Sequence, residues 1–71
     1  MTVPVECYSG GEYAERPRAF LWEGEWMEIE AILRQWRFPD GKAFLVRAAG
    51  DRAFELRYNE ASGEWDLTER F

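Results

Sequence analysis

An all-β fold, a single antiparallel meander of five or six strands curled into a half-barrel, is what this sequence predicts, and three observations predict it. Turn chemistry recurs at short intervals, in Phe38-Pro39-Asp40-Gly41, Ala49-Gly50-Asp51 and Glu60-Ala61-Ser62-Gly63. The runs they bracket, 44–48, 54–58 and 65–68, alternate with the period of two that a half-buried strand requires. Four Trp, five Phe and three Tyr in 71 residues then supply a dense core. Density matters because a chain this short buries only about 60% of its unfolded surface, and each aromatic side chain contributes roughly 150–250 Å².

Along the chain, the alternation of Val3, Val5 and Cys7 predicts a short first strand, with Pro4 assigning it to a sheet edge because proline cannot donate to a ladder. Residues 9–17, with Gly10-Gly11 and the charges of Glu12, Glu15 and Arg16, read as a loop, so residues 1–16 form a less firmly ordered arm on a single domain spanning 1–71. The run 18–22 meets Glu23-Gly24 and re-emerges as 25–29, a hairpin that sets Phe20 opposite Met27 and Leu21 opposite Trp26.

Residues 26–38 admit two readings. Ile29, Ile32, Leu33 and Trp36 have the i, i+3, i+4, i+7 spacing of an amphipathic helix, so the alternative is an α+β fold with 27–37 helical. The preferred reading is a long bent strand, because a tight turn precedes the segment, no helix N-cap is evident, and a β-bulge near Arg34 brings Trp36 and Phe38 into phase with the core. Pro39-Asp40-Gly41 closes that strand, with proline presetting φ and glycine expected to take a positive φ.

Parity sets the remaining register. Loops at 50–52 and 60–63 place Val46 opposite Leu56, Arg47 opposite Glu55, Leu56 opposite Leu67 and Arg57 opposite Asp66, giving charged pairs on the outer face. The expected core comprises Phe20, Trp22, Ile29, Leu33, Trp36, Phe44, Val46, Phe54, Leu56, Tyr58, Trp65 and Leu67.

Composition narrows the function. The lone Cys7 has no bridging partner and no histidine to activate it, and no run approaches the roughly 18 apolar residues of a membrane span, which points to a cytoplasmic protein with a structural thiol. Without His, and with carboxylates expected on the surface, no acid–base machinery is legible; catalytic, metal-binding and cofactor-binding residues are assigned to none, and the chain reads as not an enzyme. Glu28 and Glu30 share a strand face but lack a third ligand, which makes them a solvated outer face.

The net charge of −5 is uneven: residues 34–57 carry +3 against −5 for 1–33 and −3 for 58–71. Eight of the nine basic residues are arginine, whose planar fork suits bidentate and stacking contacts. This favours a protein-interaction module with an unidentified protein partner or self-association, acting through Trp26, Arg34 and Arg37 or through exposed edges at the N-terminal strand and the 65–68 strand. The alternative is single-stranded nucleic-acid binding through an Arg/Trp patch, disfavoured by the net negative charge, and the third reading is a structural domain with no partner.

Glu15-Arg16-Pro17, Phe20-x-Trp22-x-Gly24, the run 26–33 followed by Trp36-Arg37, and Phe54-Glu55-Leu56-x-Tyr58 together resemble a family of small uncharacterised bacterial domains. In some relatives the family is associated with translesion-polymerase components. The resemblance spans most of the chain; it implies an accessory role in DNA repair and carries no catalytic residues.

Overall fold

The computed structural model describes residues 1–8 and 16–70. Six strands run in sequence order as one antiparallel meander curled into a half-barrel: β1 (Val5–Cys7), β2 (Pro17–Trp22), β3 (Glu25–Phe38), β4 (Gly41–Ala48), β5 (Arg52–Asn59) and β6 (Glu64–Arg70). The segment 27–37 is strand throughout, so the helical alternative falls. A helix would have projected the periodic residues to one side, whereas cross-strand bonding to β2 over the first part of β3 and to β4 over the rest pairs one edge of each half.

Strand β3 is 14 residues long and serves two neighbours in succession. Its first part pairs with β2, setting Phe20 opposite Met27 and Leu21 opposite Trp26 across a turn in which Glu23 and Gly24 both have positive φ, 50° and 83°. From Ile29 onward it pairs with β4. Two register slips bend it between these roles, one across Glu30 and one across Leu33, next to the bulge expected at Arg34.

The slips change which residues are buried. Trp36 stands opposite Ala43 and Phe38 opposite Gly41, while the core-facing register belongs to Phe44 and Val46, so Trp36 and Phe38 lie on the outer face. Leu33, at the second slip, is 50% exposed. Leu33 and Trp36 therefore leave the expected core; the other ten remain in it or packed against it, joined by Val3 and Ala48. Its centre is aromatic: Phe54 meets Phe20 edge-on at 4.9 Å and Trp22 at 5.3 Å, while Trp65 packs against Tyr58 at 5.0 Å and Phe44 at 5.9 Å.

The β5–β6 register agrees with parity: Leu56 faces Leu67 and Arg57 faces Asp66 across a four-residue turn stitched by Asn59 Oδ1, which accepts from the Ala61 and Ser62 amides. The β4–β5 register differs by two residues. The loop is Ala49–Asp51, one position earlier than expected, so Val46 faces Phe54 and Arg47 faces Ala53 rather than Glu55. A two-residue displacement preserves parity, which is why every core assignment on these strands survives while the expected Arg47–Glu55 pair does not.

Of the two candidate edges, the one on β6 is corrected. The Val3 amide donates to the Trp65 carbonyl, the Leu67 amide to the Met1 carbonyl, and Thr2 bridges Asp66, so residues 1–3 cover the 65–67 stretch of β6. Pro4 then accepts from Leu21 and the chain continues into β1 beside β2. Residues 1–8 are thus part of the sheet, with Val3 buried; residues 9–15, the centre of the expected loop, lie outside the described residues.

Candidate functional site

The feature that this topology leaves open is the second edge of β3. Extending the β2–β3 register would place Pro17 opposite Glu30, but proline has no N–H to donate and Glu30 sits at a register slip, so the two strands part there. Residues 31–38 keep β4 on one side and, among the described residues, have no backbone partner on the other. Residues 34–38 pair with β4 without a further slip, which makes them a regular five-residue strand edge.

The side chains flanking this edge are cationic and aromatic. Arg34 lies opposite Leu45 and Trp36 opposite Ala43, on the outer face, with the Arg34 guanidinium 5.5 Å from the Trp36 ring. Arg37 falls on the other face by alternation, opposite Lys42, and donates to Glu60 at 3.0 Å. Phe38 returns to the outer face and is covered by Arg57 at 4.5 Å. Arg57 in turn meets Glu55 at 3.2 Å, and Glu55 meets Arg70 at 3.0 Å, so one well-shielded carboxylate serves two arginines.

The three residues singled out from sequence do not form one patch. Trp26 is 53% exposed and lies beside Leu21 on the first half of β3. At about 3.3 Å per residue it is some 25 Å along the strand from Arg34. Arg34 and Arg37 share the open edge but flank it from opposite faces. The continuous edge between them was not apparent from residue types, because backbone availability has no side-chain signature. The available signal was a length mismatch: a strand of 14 residues cannot be fully paired by a β2 of six.

Elsewhere the chemistry is sparse. Burial pushes the Cys7 thiol above its ordinary value, with Lys42 partly offsetting the effect, so the reactive thiolate is disfavoured at neutral pH. Glu28 is exposed opposite Ala19, and Glu30, at the register slip, lies 3.7 Å from Arg47. A shallow cleft of about 360 Å³ runs beside Phe38 and Arg57 toward Asp40, Glu64 and Asp66. No cluster of three or more acidic, Cys or His side chains among the described residues has metal-holding geometry, and no helix there is long and apolar enough to cross a membrane.

No family model, curated protein or solved structure matches this chain.

Proposed function

We propose that this chain is a non-catalytic protein-interaction module and that its binding element is the second half of β3. The observation that carries the reading is the side of residues 34–38 that faces away from β4, which has no backbone partner among the described residues and presents donors and acceptors that an extended segment of another protein would complete by strand addition. The exposed Trp26 on the first half of β3, beside the half-buried Leu21 of β2, supplies a second, apolar contact area. DNA repair, implied by the resemblance to small bacterial domains, is the process in which a partner is to be sought.

Single-strand nucleic-acid binding is the second reading, favoured by the arginines beside Trp36 and Phe38. It is the weaker one because Arg34 and Arg57 already occupy positions over those rings, where a base would need to stack, and because the whole chain is anionic. Photocrosslinking from a benzophenone side chain at Gln35, with Thr68 on β6 as control, separates the readings in cells. A protein adduct from position 35 and not from 68 supports the module. A nucleic-acid adduct from position 35 overturns it in favour of the second reading, and no adduct at all favours a structural domain without partner.

A further inference from the structure

We infer that the occupant of the β3 edge is an extended acidic peptide segment, carrying two carboxylates three residues apart, that adds as a strand beside residues 34–38. The inference rests on the interaction-module reading above and specifies its partner by charge and spacing.

Three observations select this occupant. The edge strand from Ala31 to Phe38 contains Arg34 and Arg37 and no acidic residue, although the chain as a whole is at −5. Arg34 stacks on Trp36 and forms no ion pair among the described residues, while the Arg37–Glu60 contact is largely exposed and therefore weak enough to exchange for another carboxylate. Finally, Arg34 and Arg37 are three apart and thus project from opposite faces of the strand. A partner strand meets both only if its acidic residues are likewise an odd number apart, one reaching over each face, in the manner of oppositely charged cross-strand neighbours.

The same charges argue against a second copy as occupant. Two β3 edges paired through a two-fold axis would bring Arg34 and Arg37 of both copies together, with no acidic residue on either edge to compensate. Backbone hydrogen bonding supplies affinity without regard to sequence, so the arginines act as the selector of which extended segment docks.

The test is an NMR titration of the isotopically labelled chain with four probes. These are a blocked hexapeptide of Thr and Val bearing Glu at its second and fifth positions, its Lys-for-Glu counterpart, the Glu peptide N-methylated on alternate residues, and an oligo-dT of ten nucleotides. The expected result is that the Glu peptide shifts and protects amides within residues 34–38. Affinity should be at least ~10-fold weaker for the Lys and N-methylated peptides, as expected when each loses ~1.4 kcal/mol or more. In the Arg34→Glu/Arg37→Glu variant, whose changes are at exposed positions, the preference should reverse toward the Lys peptide.

Equal binding of the Glu peptide and its N-methylated form overturns strand addition and leaves only charge attraction. Binding of the Lys peptide at the same edge overturns the acidic partner while leaving the interaction module standing. If no peptide perturbs residues 34–38, both fail, and oligo-dT binding that weakens steeply with salt assigns the surface to nucleic acid. A concentration-dependent dimer with protection at these amides assigns it instead to a second copy.

Discussion

Gly41 lies directly against the backbone of Tyr58: a Cβ built on Gly41 would collide with the Tyr58 carbonyl oxygen and sit 2.9 Å from its carbon. Gly41 does not have the positive φ expected of it, so its requirement is close approach of two strands rather than backbone conformation. Gly24, at φ +83° with open space around it, has the opposite requirement.

Gly41→Ala is therefore expected to cost on the order of 4 kcal/mol or more, since the obstacle is backbone that cannot rotate away, and Gly24→Ala only about 1–2 kcal/mol. Urea unfolding of the two variants compares them directly. Equal costs would mean that the β4–β5 approach relaxes and that Gly41 is dispensable.

The corrected β4–β5 register predicts which carboxylate matters. Glu55 is 15% exposed at its side chain and lies between Arg57 and Arg70, whereas Glu30 is half exposed and 3.7 Å from Arg47. Glu55→Gln should destabilise by about 1–2 kcal/mol, as loss of a shielded hydrogen-bonded charge does, and Glu30→Gln by less than about 0.5 kcal/mol. A double-mutant cycle between Arg47 and Glu55 should show less coupling than one between Arg70 and Glu55, because Arg47 is paired with Glu30 and Glu55 with Arg57 and Arg70.

Core and outer face should separate as cleanly. Phe54, fully buried between Phe20 and Trp22, is expected to cost about 3–5 kcal/mol on truncation to alanine. Leu33, half exposed at the second register slip, should cost under about 1 kcal/mol on replacement by threonine. Thermal melts of the two variants check the assignment; a larger loss at Leu33 would restore it to the core.

For Cys7 the sign of the pH dependence follows from a raised folded-state pKa. Burial holds the proton on the thiol in the folded chain, so the contribution is fully present below the unfolded-state pKa and is lost as pH rises through the folded-state value. Stability relative to Cys7→Ala should accordingly be flat near neutrality and fall at alkaline pH. Alkylation by iodoacetamide at pH 7.5 should be slower in the folded chain than after unfolding; equal rates would place the thiol in solvent.

Much of the meander was legible because its determinants are local. Pro39-Asp40, Glu23-Gly24 and the Glu60 to Gly63 turn each carry their own conformational chemistry, and alternation on 54–58 and 65–68 assigns faces without knowledge of neighbours. The β2–β3 and β5–β6 pairs agree residue for residue for that reason. The Ala49–Asp51 loop was read one position late because Gly50 and Asp51 both have positive φ, and residue type alone does not say where such a loop begins.

The turns and the apolar parity of β4 to β6 were determined by the sequence by itself, since each depends on residues within one turn or one strand, whereas pairing to β2 and β4 decided that 27–37 is strand rather than helix. The displacement of Trp36 to the outer face, the covering of β6 by residues 1–3, and the edge beside Arg34 and Arg37 that no described residue pairs were decided only by the tertiary structure. Those features depend on where a 14-residue strand slips register and which distant backbone arrives to pair with it. Backbone donors and acceptors are the same in every residue but proline, so their pairing is set by the path of the whole chain rather than by any side chain along it.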